Sequence, residues 1–392
     1  MHIPSERVYN SMLAEAAHVW YVPANNGDET ALLIKSITPS LKALTAGCQL
    51  QLLFGKKDNY LCTGARIYDM PDTPLLLSEP QTVSEEHTAL VQSMKQRKFP
   101  IFLFNERDIC VASSTVEISE EDSSALLELI GDENLLYTGK FNDDVSFAVD
   151  CFDTSIDKTS VFPNAYEIPT IEITPKIGKW ETYDIYFAST DSHRGINIAD
   201  KSEGKNFESI VQASLEFVFP TTLYKNPQIQ HGDTKREFTD VFAYYKYGSF
   251  LIEAKDLSVI LAGFNKDEKK RLSGIQKQAR TAIKQLIGAV NAFKRGEDLF
   301  DTNGNKISVD RNPSPHCIVL ITELMTCGDW SEITKQLLDA MEQTGAFFHL
   351  LDLRELITML KQCSGDPALI DYNLAERCKL FIKNKSVFIR GI

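Results

Sequence analysis

The sequence predicts two domains of different class, a β-rich α+β half over residues 1–185 and an α/β half over residues 203–392. Three observations carry this. A chain of 392 residues exceeds what one hydrophobic core usually serves. Charge is divided unequally: residues 1–200 hold 15 Lys+Arg against 30 Asp+Glu, and residues 201–392 hold 26 against 24. The pattern of elements also changes, from short strands in the first half to helices alternating with strands in the second.

In the first half, the apolar runs ALLIKSI (31–37), CQLQLLF (48–54), YLCTGARIY (60–68), FPIFLF (99–104) and ICVASSTVEI (109–118) read as strands. Residues 84–97 and 120–131 read as helices, the second opening on acidic residues that suit a helix N-terminus. There is no internal repeat and no glycine-rich phosphate loop, and this half carries no interpretable motif. Around 186–206 the chain turns polar and glycine-containing, which marks a linker. Beyond it come a helix (205–218), strands (237–246 and 249–256) and a long helix (267–294). A strand (316–322), a helix (331–343), a strand (346–351) and a helix (352–362) follow. KYGS (246–249) supplies a glycine for a hairpin turn.

At 43% hydrophobic and 24% charged residues, the composition is that of a soluble globular protein. No apolar run of about 18 residues is present, so no membrane partner is expected. The N-terminal stretch lacks the basic start and apolar core of a secretory leader. The eight cysteines form no CxxC pair, which suits free thiols in a reducing cytoplasm and does not suit zinc. The net charge of −13 belongs to the first half; from Lys266 to Arg295 nine basic residues face two acidic ones. An anionic partner responds to such a local field rather than to the total.

The stretch REFTDVFAYYKYGSFLIEAKD (236–256) places charge inside apolar strands. Side chains alternate along a strand, so Asp240, Phe242 and Tyr244 share one face, and Leu251, Glu253 and Lys255 share one face of the next strand. A tight hairpin brings Asp240 across from Glu253. Two carboxylates that close repel unless a cation lies between them. Mg²⁺ needs only one or two protein carboxylates beside water and substrate phosphate. Lys255 would face the same point, able to hold a water or offset developing charge. The plainer alternative is a hairpin with solvated charges on its outer face.

Asp240, twelve intervening residues, and then Glu253-Ala254-Lys255 resemble the D…(D/E)xK signature of the PD-(D/E)XK nuclease superfamily, which includes restriction endonucleases and Mrr-like enzymes. The resemblance covers about residues 203–360, with Thr239-Asp240 where the family has Pro-Asp. It implies a restriction-endonuclease-like α/β domain, a mixed sheet flanked by helices, whose second half is parallel. It implies an acid on the helix before the hairpin. Glu208 sits at the edge of the apolar face made by Phe207, Ile210, Val211 and Leu215, whereas Glu216 points to solvent. It also implies a glutamine on the helix after the lysine. Gln278 and Gln285 line one margin of the stripe Ile275, Ala279, Ala282, Leu286, Ala289 and Phe293, and Gln278 is the better placed. Lys270, Lys277 and Lys284 recur every seven residues on the polar side, as a track for a phosphate backbone or as a solvated helix face.

The activity implied is Mg²⁺-dependent hydrolysis of DNA, with Mn²⁺ able to substitute and RNA left open, in a setting such as restriction or anti-phage defence. The acidic N-terminal domain would then sense, restrain or recruit a protein partner. The competing expectations are a non-catalytic scaffold on a nuclease-like fold and an RNase active only in a complex. Three other signals point elsewhere. DSHRG (191–195) reads as polar linker, because triad members rarely adjoin in sequence. DTNGNKISVD (301–310) lacks the glycine and terminal glutamate of a calcium loop and reads as a turn at Asn303-Gly304. Phe242, Tyr244, Tyr245 and Tyr247 read as strand packing before base stacking.

Overall fold

The computed structural model describes residues 3–187, 195–257 and 267–389. Residues 188–194, which include most of DSHRG, lie outside the described residues. Two compact units are present, the first built mainly on residues 3–185 and the second on 200–257 and 267–389. No helix among the described residues is long and apolar enough to cross a membrane. No disulfide forms among them, and seven of the eight cysteines are buried.

Two sheets of four or more strands organise the described residues of the first unit. One orders His18–Ala24, Glu29–Lys35, Lys98–Phe104, Cys110–Glu117 and Glu181–Thr182, with Lys176–Ile177 also paired to Cys110–Glu117; the other orders Leu75–Gln81, Tyr60–Ile67, Leu50–Lys57 and Thr170–Ile173. Five of these strands fall on the apolar runs of the sequence, and helices Ser84–Gln96 and Glu120–Ile130 fall where expected. The helix Asp143–Ile156 is an addition to the expected elements, and it buries Val145, Ala148, Cys151, Phe152 and Ile156 along one face. Two strand glycines admit it. A Cβ at Gly55 would meet Phe152 Cδ2 at 2.4 Å, and one at Gly64 would stand 3.5 Å from the same ring and 2.2 Å from the Leu77 carbonyl.

The second unit is organised by a five-stranded mixed sheet in the order Leu223–Lys225, Val241–Tyr245, Gly248–Lys255, His316–Ile321, Phe347–Asp352. The first two pairings are antiparallel and the last two parallel. The parallel strands read as continuous apolar runs because both of their faces are covered. On one face, Val241, Ala243, Ile252 and Ala254 pack against Phe207, Val211 and Leu215 of helix Glu203–Leu215 and against Leu356 and Leu374 of the last two helices. On the other face, Phe242 lies fully buried with its ring 6.2 Å from Phe293 of the long helix Glu268–Lys294. The whole apolar stripe of that helix, from Ile275 to Phe293, is buried.

Three expectations change. The strand expected over 237–246 is two strands. Thr234–Glu237 pairs with Gln228–His231 in a separate four-stranded sheet, and Val241–Tyr245 joins the main sheet. Between them Phe238 is drawn into the core, stacked 6.0 Å from Phe293, and the Thr239 hydroxyl donates to the Ile252 carbonyl at 2.7 Å. The hairpin turn is made by Lys246 and Tyr247, since Tyr245 pairs with Gly248. Gly248 is needed for space: a Cβ there would meet Asp371 Oδ2 at 2.9 Å and Tyr245 at 3.1 Å. The helix Pro367–Asn384 continues the domain beyond the last predicted element. The 301–310 segment is a turn, with the Asp301 carboxylate accepting the Asn303 and Asn305 N–H groups and Gly304 at φ 84°.

The end of the sheet where His316–Ile321 begins is tied by a buried polar chain. His349 Nε2 and His316 Nδ1 lie 3.0 Å apart, His316 Nε2 lies 3.0 Å from Asp371 Oδ1, and the Tyr245 hydroxyl donates to Asp371 Oδ2. Burial, then His316 and Arg377, hold the His349 imidazole well below its ordinary range. The unfolded chain takes up a proton at this residue below about pH 6.5 and the folded chain does not, so stability falls as pH drops through that region. The expected slope is up to about 1.4 kcal/mol per pH unit. Urea unfolding of wild type and His349→Gln at about pH 7.5 and about pH 5.5 should show a smaller loss in the variant. Equal losses would show that His349 does not carry the effect.

Candidate active site

Asp240 sits where the antiparallel pairing between Val241–Tyr245 and Gly248–Lys255 stops. The register pairs Val241 with Ile252, so Asp240 stands across from Glu253 on the same face. The N–H of Ala254, which would otherwise lack a ladder partner, donates to Asp240 Oδ2 at 2.7 Å. The Asp240 carbonyl accepts the Asn226 N–H at 2.9 Å, so both ends of the residue are held.

Lys255 closes the constellation. Its Nζ lies 2.7 Å from Glu253 Oε2 and 3.1 Å from Asp240 Oδ2. Asp240 and Glu253 are 6% and 2% exposed. Burial, and then the charge of Asp240, push the Glu253 carboxyl up to about 7 against the pull of Lys255. For Lys255, burial works to lower the ammonium, but Glu253 and Asp240 together outweigh it and the net shift is upward. At neutral pH the lysine is therefore a cation and a donor, not a base.

Glu208 is half-buried, and its carboxyl is raised by burial and by Asp240, with Lys225, Asn226 and Lys255 acting in the opposite sense. It thus lies within the field of the same centre. Glu216, expected at solvent, is the half-buried C-cap of the helix. The Gln278 amide donates to the Asp256 carbonyl at 2.5 Å, which fixes the chain just after Lys255 rather than touching either carboxylate, and its Oε1 is buried without a partner among the described residues. Gln285 is the glutamine that shares a cleft with Glu253. Lys277 and Lys284 are exposed and form no ion pair among the described residues, whereas Lys270 is tied to Asp267 at 3.0 Å. Of the aromatic residues, Phe242 is core, Tyr245 bonds Asp371, and Tyr244 stacks on Tyr224 at 6.2 Å and 6°.

One residue of the site escapes sequence reasoning. Glu237 lines the cleft, and its carboxyl is raised by burial, then by Asp240 and Glu208, while Lys255 pulls it down. In a continuous strand, Glu237 and Asp240 would face opposite ways, three residues apart. The break at 238–240 turns both toward one centre. The cleft measures about 220 Å³, and Arg236, Glu237, Phe238, Glu253, Gln285 and Gly288 are among its lining residues. No three His, Cys, Asp or Glu side chains converge as a ready cation cage among the described residues.

No family model matches the chain, and no curated protein matches it. Among solved structures it is similar to the small subunit of the heterodimeric restriction endonuclease R.BspD6I, at 14% identity and a TM-score of 0.29, over 50% of this chain and 90% of that one.

The electrostatics can be checked without any assumption about activity. Carboxyl titration followed by carbon NMR should give Glu253 a midpoint near 7. In Asp240→Asn the midpoint should fall, because one repelling charge is gone, yet stay above the ordinary value of about 4.3 because burial remains. An unchanged midpoint would mean that the two carboxylates do not sense one another.

Proposed function

We propose that this chain is a metal-dependent nuclease that hydrolyses DNA phosphodiester bonds. The observation that carries the proposal is the convergence of two buried, mutually repelling carboxylates, Asp240 and Glu253, on one lysine ammonium. The donor set is all oxygen and supplies two ligands, which fits Mg²⁺ (or Mn²⁺) completed by water and substrate phosphate and does not fit a closed zinc site. Asp240 and Glu253 would hold the ion. When bound, such an ion polarises a phosphoryl oxygen and acidifies a bound water.

The chain's own groups divide the remaining work. Lys255, kept charged by its two neighbours, orients a water or stabilises negative charge that develops on phosphate. Glu208 and Glu237, whose carboxyls are raised by burial and by Asp240, stand beside the centre as candidate proton acceptors. Gln278 holds the strand end that carries Lys255. Lys277 and Lys284, with a lesser share from the paired Lys270, offer contacts to the phosphate backbone. The N-terminal half, with 30 acidic against 15 basic residues, is better suited to a protein partner than to DNA. A cytoplasmic role in defence against foreign DNA belongs to the same proposal. A non-catalytic scaffold is the second reading, and the lack of a three-ligand cluster among the described residues favours it.

Plasmid, linear DNA and RNA should be incubated with Mg²⁺, Mn²⁺ or EDTA. Cleavage should need the ion, and cation affinity should weaken as pH falls through about 7, where Glu253 gains its proton. Asp240→Ala should lose metal binding and cleavage together. Lys255→Ala should retain the metal yet lose cleavage by on the order of 10²–10⁴. Wild-type cleavage by Lys255→Ala would overturn the mechanism, and no cleavage of any substrate would leave the scaffold.

A further inference from the structure

The cleft beside the carboxylates is not needed to hold a metal, and its lining points to a second ligand. From it we infer that the chain carries a subsite for one unpaired nucleobase next to the reacting phosphate, so that its substrate is single-stranded or locally unpaired nucleic acid. This rests on the nuclease proposal and narrows its substrate.

Position comes first. Glu253 belongs both to the acidic centre and to the cleft wall, so an occupant of the cleft adjoins whatever phosphate the centre holds. Size comes next. A volume of about 220 Å³ falls below the roughly 300–1,000 Å³ of sites for drug-sized ligands, which suits one ring system and not a base pair. The lining then selects the chemistry. Ile229 and Phe238 back the cleft and are themselves almost fully buried, at 1% and 4% exposed, so the surface left open to an occupant is mainly polar. Gly288 leaves the helix side of the cleft bare, with nothing within 4 Å of where a Cβ would stand. A flat ring can lie along this bare stretch of helix. At the mouth, Gln285 is exposed and its amide makes no hydrogen bond among the described residues. An amide offers both a donor and an acceptor, so it can meet the edge of any base. Arg236, exposed on the hairpin arm, supplies a cation for the adjoining phosphate. A base inside a duplex cannot enter such a cleft without being unpaired and unstacked at a cost of a few kcal/mol, a cost that is least for a base already free. Hence the preference for unpaired strands.

Gly288 provides the test. It lies inside a helix with open space where a Cβ would stand, so Gly288→Leu projects into the cleft and raises helix propensity. Binding of a fluorescent single-stranded DNA oligonucleotide and of its duplex should be measured in EDTA, apart from cleavage, on wild type, Gly288→Leu and Gln285→Ala. Wild type should bind the single strand at least about tenfold more tightly than the duplex, as expected where bases contribute contacts of their own. Gly288→Leu should lose that preference while keeping wild-type thermal unfolding and Mn²⁺ binding, and Gln285→Ala should weaken the single strand more than the duplex. Absence of a single-strand preference in wild type, or its survival in folded Gly288→Leu, would overturn the inference and leave the nuclease proposal standing. The binding pattern without any cleavage would uphold the subsite and remove the nuclease.

Discussion

Burying two carboxylates face to face is costly unless a cation offsets them, and the second unit is arranged around that constraint. Asp240 and Glu253 meet on one sheet face because the hairpin register puts them there. The same register leaves the Ala254 N–H without a strand partner, and Asp240 takes it. A single side chain thus ends the ladder, faces Glu253 and holds Lys255. The lysine stands between the two acids and is kept protonated by both. Removing either acid would loosen the other two groups, so the three act as one unit rather than as separate surface charges.

The chain achieves this by crossing from a separate sheet back into its main sheet over three residues. At 238–240 the backbone passes from the outer hairpin to the central sheet, and Phe238 is buried against Phe293 as it does so. That anchor sets where Asp240 falls and turns Glu237 toward the same centre. The long helix supplies the opposite wall. Its buried stripe fixes the helix against the sheet, and the positions beside the stripe, Gln278 and Gln285, therefore reach the strand end and the cleft. Packing on one face of the helix decides chemistry on its margin.

The far end of the sheet shows a different solution to buried polarity. His349, His316, Asp371 and Tyr245 form a linear chain of hydrogen bonds in which each group satisfies the next. No two like charges face each other there, and the chain links three strands to the final helix. One sheet therefore carries a hydrogen-bonded polar chain at one end and a pair of repelling carboxylates on a lysine at the other.

Local pattern alone determined much of this protein. Apolar runs located most strands, 3.6-residue spacing located the long helix and its buried stripe, and period-two alternation placed Asp240, Glu253 and Lys255 on shared faces, because each is a property of neighbouring residues. Three features depended on residues distant in sequence. Glu237 joined the centre only because Phe238 found a partner 55 positions away in Phe293 and broke the strand. Gly248 proved to be spacing for Asp371 rather than turn chemistry. Gln278 and Gln285 look alike in sequence, and only the packing of their helix on the sheet sent one to the Asp256 carbonyl and the other to the cleft. Sequence specified which side chains share a face; the meeting of two sheets and a helix decided which faces share a site, because that is settled by burial between elements and not within them.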